Sequence, residues 1–364
     1  MRRLVTMRVV VVTTSFPRNA DDPSGHFVLS SARALVAAGH EVHVIAPGGS
    51  VLDSPALLTD RDRSGGGALM VHRAGGGALF GWPGAAARAR EAPWRLLAAG
   101  SFAGGVVYRL RTLPPMDRAV AHWIVPCAWP LLMRTRALLE VFAHGADVRM
   151  LVQAPRPARD RVVRALLARG ARFTFAARAS LSTLCAALDP ALAERLAARA
   201  SVELPVVDVP DVISRAAVLR ESLGLTSSER LGVVVCRLVA AKRVEVAIAA
   251  AAQARWPLRL VVVGDGPARG ALEQAARAFG VQRVTFAGMQ PRREALAWIA
   301  AADWLLHPST VEAAPTVVRE ARALGVRVIA CDAGDVSRWA ESDLGIRVVE
   351  CSAQAFARVL DAPA

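Results

Sequence analysis

The chain alternates between short apolar runs and longer amphipathic segments. Arg8 to Thr13 contains a continuous apolar run of strand length, and Phe27 to Ala38 repeats its apolar residues at helical spacing. Glu41 to Ala46 is the next apolar run, with Gly39 and His40 at the turn before it. This order predicts a strand, a helix and a parallel strand, which together form a βαβ unit.

The rest of the first half continues this pattern less regularly. Further strands are predicted over residues 119–122, 138–143 and 173–176. Residues 48–92 are rich in Gly, Ala and Pro, which predicts long irregular connections. Residues 201–215 contain two prolines and have no helical periodicity, so we place an interdomain linker there.

The second half alternates strictly. Strands are predicted over residues 232–236, 258–263, 283–286, 304–307 and 327–330, and helices over 244–253, 268–279, 292–301 and 315–324. Such alternation implies a parallel sheet with helices on both faces. A length of 364 residues suits two α/β domains. We therefore predict two Rossmann-like domains, residues 1–204 and 205–364.

The composition is that of a packed globular protein with excess positive charge. Hydrophobic residues make up 54%, charged residues 21%, and the formal net charge is +14. This charge fits an anionic ligand or membrane surface, and it equally fits an Arg-rich composition without function. Almost every basic residue is Arg, yet Lys242 is the sole lysine. Compositional drift does not explain that exception.

Cysteines and apolar stretches indicate the compartment. The five cysteines are scattered and form no CxxC pair, which disfavours a disulfide framework or a zinc site; they are Cys127, Cys185, Cys236, Cys331 and Cys351. The apolar run after Arg2, Arg3 and Arg8 is too short for a signal peptide, and we predict no transmembrane helix. We expect a cytoplasmic protein with peripheral contact to the inner face of an anionic membrane.

Two cations follow the first predicted strand of the second half. In an open α/β sheet, ligands bind beyond the carboxyl ends of the strands. Arg237 directly follows residues 232–236, and Lys242 lies near the start of the next helix. Cations beside free N–H groups at a helix N-terminus suit a diphosphate. Two ordinary surface cations are the alternative, and the uniqueness of Lys242 argues against it.

Two carboxylates follow the strand at residues 304–307. Glu312 lies in the loop after it, and Glu320 lies within the next helix, where Pro315 suits the first turn. Carboxylates accept charge-assisted hydrogen bonds from sugar and ribose hydroxyls. Each Glu taken alone would be read as a cap or a solvated residue. The pair at this spacing predicts contacts to one ligand.

Together these motifs resemble the GT-B glycosyltransferases of family 4, over essentially the whole chain. Glu312 to Glu320 is similar to the E-x7-E motif of that family, and Ala313 stands where the family usually has Gly. Matching segments also occur at Arg237 to Lys242, Val263 to Pro267, Phe286 to Gly288, His144 to Asp147, and the first loop from Ser15 to Phe27.

The resemblance implies a GT-B fold, in which two Rossmann-like domains face each other across a cleft, and it implies a function. The expected reaction moves a sugar from a nucleotide-diphosphate sugar to an acceptor hydroxyl, with retention and without metal. The implied catalytic residues are His144 and Glu312. The implied donor-binding residues are Gly25, Arg237, Lys242, Gly264, Gly266, Gly288, Ala314, Pro315, Thr316 and Glu320.

The resemblance also implies partners and domain roles. The co-substrate is a UDP- or GDP-linked sugar, and no other cofactor is expected. The donor binds residues 205–364, and a glycan or lipid-linked acceptor binds residues 1–204. No nucleic-acid motif accompanies the charge, so we expect no nucleic-acid partner. The expected pathway is cell-envelope glycan biosynthesis.

Other functions stay open at this point. Gly264 to Gly270 has a distant likeness to a dinucleotide fingerprint, but Asp265 would repel a pyrophosphate and Pro267 removes an N–H group. This disfavours a nicotinamide-dependent oxidoreductase. A sugar-nucleotide epimerase and a catalytically degenerate GT-B binding protein remain as alternatives. His122 and Trp123 either line the acceptor side or form a structural pair.

Overall fold

The computed structural model describes residues 6–19, 22, 24–50, 52–54, 56–57, 67–82, 84–226, 228–279 and 283–362. The N-terminal residues weighed as a signal peptide lie partly outside this range, as do parts of the predicted connection at 48–92. The chain divides into two compact units between Val206 and Val207. The boundary predicted between residues 204 and 205 lies two residues earlier, and the roles of the two domains remain predictions.

Unit 1 is built on a sheet of short, buried strands. They are β1 (Arg8–Thr13), β2 (Glu41–Ala46), β3 (Ala56–Leu57), β4 (Ala68–Arg73), β5 (Arg118–His122), β6 (Leu138–Ala143), β7 (Arg172–Phe175) and β8 (Ala200–Val202). The described strands pair in the order β3-β4-β2-β1-β5-β6-β7-β8. β3 runs antiparallel to β4, and the other pairings are parallel.

Helices cover both faces of this sheet. They are α1 (His26–Ala37), α2 (Ala85–Glu91), α3 (Leu97–Thr112), α4 (Ala128–Arg134), α5 (Ala146–Gln153), α6 (Arg156–Ala168), α7 (Arg178–Ala187) and α8 (Pro190–Ala197). Because the sheet is covered on both sides, β1 is apolar at consecutive positions, and its residues Val9 to Val12 are at most 2% exposed.

The prediction of irregular structure over residues 48–92 was wrong in part. β4 is a buried strand that pairs with β2 along its whole length, and α2 begins at Ala85. Glycines on both sides of β4 conceal its short apolar pattern. Gly67 is required there, since a Cβ would lie 2.5 Å from the carbonyl oxygen of Val36.

Unit 2 has the strict alternation that the sequence predicts. Its strands are β9 (Arg230–Val235), β10 (Leu258–Val263), β11 (Val284–Gly288), β12 (Trp304–His307), β13 (Arg327–Cys331) and β14 (Ile346–Val349). Its helices are α9 (Ile213–Ser222), α10 (Val244–Gln253), α11 (Arg269–Ala278), α12 (Arg292–Ala301), α13 (Thr316–Ala323), α14 (Val336–Ala340) and α15 (Ala353–Leu360).

The described strands of unit 2 form a parallel sheet in the order β11-β10-β9-β12-β13-β14. The chain moves outward from β9 through β10 to β11 and then returns to β12 beside β9, so the order reverses between β9 and β12. Ligands of open α/β sheets bind at such a reversal, beyond the carboxyl ends of the strands. Arg237 follows β9, and Glu312 follows β12. The topology therefore brings the two predicted constellations to one edge of the sheet.

Candidate donor site in unit 2

The segment between β9 and α10 presents the two predicted cations. Arg237 is exposed just beyond β9. Lys242 ends a short 3-10 turn, and Arg243 then adopts a left-handed conformation with φ 50° before α10 begins at Val244. This abrupt change of direction keeps Lys242 outside the helix, two residues before its first residue.

Lys242 forms an ion pair with Glu312. The Lys242 ammonium donates to Oε1 of Glu312, and the two side chains are 17% and 14% exposed. His307 Nε2 lies 3.4 Å from the same carboxylate oxygen. The sequence predicted Lys242 and Glu312 as members of separate constellations, whereas the structure joins them into one charged centre.

The charge state of Glu312 is fixed by its neighbours. Burial alone would raise the pKa of this carboxyl, but His307 and the Lys242 ammonium outweigh burial and lower the pKa to about 2. Glu312 is therefore ionised at neutral pH. Burial raises the pKa of the adjacent Cys236 thiol to about 12, which keeps it a neutral group.

Hydrogen bonds fix the loop that carries Glu312. The Ser309 hydroxyl donates to the Ala241 carbonyl at 3.3 Å, which ties the loop to the segment of Lys242. The Ala313 carbonyl accepts the Asp335 N–H at 3.1 Å. A Cβ at Gly334 would lie 1.9 Å from that carbonyl, so only glycine allows this approach. Ala313 itself is buried, so its methyl group is accommodated inside the fold.

The start of α13 faces the same loop. Pro315, the predicted first residue of the helix, occupies the N-cap position, and the helix begins one residue later at Thr316. Proline has no N–H group, so the main-chain donors here are Ala314, Thr316 and the residues of the first turn. These N–H groups and the positive end of the helix dipole favour hydroxyl or anionic ligand oxygens.

Glu320 lies within α13 and pairs with an arginine that the sequence did not distinguish. Arg292 Nη2 donates to Glu320 Oε1 at 2.8 Å and also to the Asp208 carbonyl at 2.7 Å. The Glu320 side chain is 16% exposed. Arginines are so frequent in this chain that Arg292 carried no signal of its own.

The predicted glycines form the turn beyond β10. A Cβ at Gly264 would lie 1.9 Å from the Cys236 carbonyl oxygen, and one at Gly266 would lie 2.4 Å from that of Leu238. The Gly264 N–H donates to the Gly288 carbonyl at 2.8 Å. These contacts pack the turn against the Arg237 segment and leave room only for glycine.

His144 and Gly25 lie in unit 1. His144 Nε2 and His122 Nδ1 are 2.9 Å apart, and the rings stack at an interplanar angle of 11°. Burial, reinforced by His122, lowers the pKa of His144 well below its usual range. Gly25 has φ 69°, and a Cβ there would lie 2.2 Å from the Ser15 carbonyl oxygen.

Asp147 positions the His144 main chain. Its carboxylate accepts the N–H groups of Ile124 at 2.7 Å and His144 at 3.0 Å. The sequence motif included Asp147 without a role, and left His122 open between an acceptor-side and a structural residue. The structure buries His122 against His144, which favours the structural interpretation.

The described part of the chain contains neither a cluster of metal-binding side chains nor a membrane-spanning helix. Among the residues that the structure describes, no three His, Cys, Asp or Glu side chains are grouped so as to hold a metal ion. Within the same residues, no helix is both long and apolar enough to cross a bilayer.

Comparison with known sequences gives a family model and a curated relative. Residues 217–362 match the family model "Glycosyl transferases group 1". The relative is a Bacillus subtilis (strain 168) protein whose name describes a teichuronic acid biosynthesis glycosyltransferase. It is 35% identical to this chain over 142 residues. The aligned segment covers 39% of this chain and only 35% of that relative.

Comparison with solved structures covers nearly the whole chain. Sucrose-phosphate synthase from Thermosynechococcus elongatus matches with a TM-score of 0.72 and 19% identity, over 97% of this chain and 88% of that protein. HepE from Anabaena, solved with UDP-glucose, matches with a TM-score of 0.65 and 18% identity, over 98% and 89%.

A third structural match is the glycosyltransferase WaaG of lipopolysaccharide biosynthesis, with a TM-score of 0.62 and 18% identity, over 97% of this chain and 89% of that protein. These likenesses confirm the prediction of two Rossmann-like domains of the GT-B type. The chain thus has the fold of GT-B glycosyltransferases, and its C-terminal unit matches the model of glycosyl transferases group 1.

Proposed function

We propose that the protein transfers a sugar from a nucleotide-diphosphate sugar to an acceptor hydroxyl, as a retaining enzyme of the family 4 type. The observation that carries the proposal is the charged centre of Lys242 and Glu312 at the topological reversal of unit 2. The family model match over residues 217–362 supports a donor site in the same unit. The UDP-glucose bound in the HepE structure supports the donor class.

Lys242 serves two partners in this proposal. An ammonium carries three N–H donors, so Lys242 can keep its contact with Glu312 while it donates to a phosphate oxygen. Arg237 supplies the second charge at the diphosphate. As the sugar leaves, negative charge grows on the β-phosphate, and the two cations stabilise it.

Glu312 holds the sugar and Glu320 the ribose. Because Glu312 is ionised, it accepts hydrogen bonds from sugar hydroxyls, and Ala314 and Thr316 donate from the main chain. Glu320 binds the ribose hydroxyls with Arg292 as its support. By the family resemblance, His144 acts at the transferred sugar, and its lowered pKa makes it a neutral hydrogen-bonding group.

The stereochemistry and metal requirement come from the family resemblance. The acceptor hydroxyl attacks from the face that the phosphate leaves, and that phosphate takes the hydroxyl proton. Proton NMR of the product should therefore show the anomeric configuration of the donor. Activity should persist in EDTA, because the cation pair carries the phosphate charge. An inverted product or an absolute Mg²⁺ requirement would contradict these two parts of the proposal.

A thermal-shift panel tests the function as a whole. UDP or GDP, and one of their sugar conjugates, should raise the melting temperature at concentrations well above Kd, because they bind the folded state alone. Stabilisation by NAD instead would favour an oxidoreductase. A degenerate binding protein would respond to none of these nucleotides, or would bind a nucleotide sugar without hydrolysing or transferring the sugar.

A further inference from the structure

Unit 1 contains a pocket of about 370 Å³ at the carboxyl ends of three neighbouring strands, β1, β2 and β4. Its lining is Arg18, Pro47, Gly48, Gly49, Arg73 and Gly77. The volume is within the range of small-ligand sites, and this edge of a parallel sheet is where ligands bind. None of the donor-site residues predicted from the sequence lines this pocket.

Glycines allow the loops beyond β2 and β4 to approach closely. The Gly48 N–H donates to the Gly75 carbonyl at 2.9 Å, which joins the two loops. A Cβ at Gly77 would lie 3.3 Å from the Cα atom of Gly48. The pocket floor is therefore main chain, and a ligand can reach peptide groups that larger side chains would cover.

Two guanidinium groups, those of Arg18 and Arg73, line the pocket, and that of Arg88 lies beside Arg18. Arg73 donates to the carbonyl oxygens of Pro47 at 3.1 Å and Pro17 at 3.3 Å. Arg18 Nη2 donates to the Phe80 carbonyl at 3.3 Å. A Cβ at Gly81 would lie 2.5 Å from Nη1 of Arg88 and 3.3 Å from Nη2 of Arg18, so those two groups pack against the same glycine.

The positive charges of these neighbouring arginines repel one another. Burial, followed by the charges of Arg95 and Arg18, lowers the pKa of Arg88, while Glu91 opposes this effect. Asp53 places one carboxylate at the rim, where it accepts the Ser50 N–H at 2.6 Å. Like charges held together in a pocket favour an anionic ligand, which relieves their repulsion.

A buried arginine supports the two loops that form the pocket. Arg109 is 8% exposed, and it donates to the Arg73 carbonyl at 3.2 Å and the Asp53 carbonyl at 2.6 Å. A buried guanidinium that binds main-chain carbonyls of two loops fixes their spacing. The pocket is thus a pre-organised feature of unit 1, with its own polar support.

We propose that Arg18, Arg73 and Arg88 bind a phosphoryl group carried by the acceptor. A phosphoryl group offers several oxygens and up to two charges, which suits convergent guanidinium groups better than a single carboxylate does. The identification of the ligand as an acceptor rests on the proposed transferase function, whereas the anion site itself does not depend on that function.

Hydrogen exchange on the full-length chain locates the site. Inorganic phosphate should slow amide exchange in peptides that span residues 44–49 and 73–82. Arg18→Gln and Arg88→Gln should each raise the phosphate concentration needed by about tenfold, the effect of one charge-assisted contact. The matched control Arg195→Gln removes an exposed charge of unit 1 elsewhere and should leave that concentration unchanged. Arg73→Gln is avoided because Arg73 also supports the loops.

Three outcomes would overturn the proposal. They are absence of protection in these peptides, unchanged protection in both variants, and equal protection by acetate. Lys242→Ala separates the two sites, since it should weaken UDP binding and leave the phosphate effect in residues 73–82 intact. Failure of the donor proposal and failure of the anion site therefore give different results.

Two further arms distinguish the source of the phosphoryl group. Glucose 6-phosphate represents a soluble phosphorylated acceptor, and phosphatidylglycerol vesicles represent a lipid-linked one. Binding that weakens in both Arg18→Gln and Arg88→Gln identifies the source. If neither arm depended on these arginines, the acceptor assignment would be wrong.

Discussion

At the residue scale, the central feature of unit 2 is a lysine that carries two functions. Lys242 neutralises the buried Glu312 carboxylate and, in the proposed reaction, the diphosphate. Lys242→Ala should weaken UDP or GDP binding by about 10- to 100-fold, since a charge-assisted contact contributes roughly 1.5–3 kcal/mol. Isothermal titration calorimetry measures the change.

Glu312→Gln is the control for this experiment. It breaks the same ion pair and keeps the ammonium, so nucleotide affinity should be retained while sugar transfer falls. Equal nucleotide affinity in Lys242→Ala and the unmodified protein would show that the lysine serves Glu312 alone.

Replacement of His144 tests whether sugar transfer can be lost while nucleotide binding is retained. His144 lies in unit 1, whereas the proposed nucleotide contacts lie in unit 2, so His144→Ala should lower kcat by about tenfold or more and change nucleotide affinity little. Steady-state kinetics with the identified donor, together with calorimetry of UDP or GDP, tests this. A parallel loss of affinity and kcat would argue against a role at the sugar.

At the element scale, the turn beyond β10 depends on glycine. Gly264→Ala would place a methyl group 1.9 Å from the Cys236 carbonyl oxygen, at φ 131°. The strand ends must then separate, which should cost about 1–3 kcal/mol of unfolding free energy and weaken nucleotide binding. Urea unfolding and calorimetry measure the two effects.

Gly270 provides a matched control for that variant. It lies in α11, and a Cβ there would meet open space. Gly270→Ala should leave stability unchanged or raise it by about 0.5–1 kcal/mol, because alanine loses less backbone entropy in a helix. Similar losses in both variants would contradict the steric explanation for Gly264.

A pair of buried histidines joins β2 to β4. His43 Nε2 lies 3.0 Å from Glu41 Oε1, and His43 Nδ1 lies 3.0 Å from His72 Nε2. An ionised Glu41 accepts only, so His43 donates to it and accepts from His72. His72 Nδ1 then carries no proton. Burial, followed by the charge that His43 would carry if protonated and by that of Arg109, lowers the pKa of His72 to about 4.

Stability of unit 1 should therefore fall in acid. His72 has a lower pKa in the native than in the unfolded chain, so its contribution is complete above the unfolded pKa of about 6.5 and is lost as the pH falls towards 4. This amounts to roughly 2 kcal/mol between about pH 7 and about pH 4.5. His72→Gln should remove that part of the decline in urea unfolding followed at both pH values, and identical pH profiles would contradict the assignment.

At the scale of the whole molecule, the net charge of +14 predicts association with anionic surfaces. The exposed arginines of α6, namely Arg156, Arg161 and Arg164, are a candidate contact on unit 1. The protein should sediment with phosphatidylglycerol vesicles at low salt, with about 1 kcal/mol per arginine near the surface, and dissociate as salt screens the charges.

Neutral phosphatidylcholine vesicles are the control for that measurement. Arg161→Gln combined with Arg164→Gln should weaken the sedimentation if α6 is the contact. Absence of binding to anionic vesicles at low salt would remove the proposed membrane contact from the function, and would leave the donor site untouched.

The sequence by itself determined the architecture and predicted a candidate donor site. Strands such as Leu258–Val263 and helices such as Val244–Gln253 have the predicted limits, because buried parallel strands and amphipathic helices have periodicities that a sequence displays. The uniqueness of Lys242 and the spacing of Glu312 and Glu320 pointed to a site before any contact was known.

Only the tertiary structure decided which of these residues are partners. The pairs Lys242 with Glu312, Glu320 with Arg292, and His144 with His122 join residues far apart in sequence. β4 and the pocket lined by Arg18 and Arg73 were likewise missed, because glycine-rich connections have no periodicity and one arginine resembles another. Periodicity is a local property of the chain, whereas a charged centre depends on which strand ends the sheet topology places side by side.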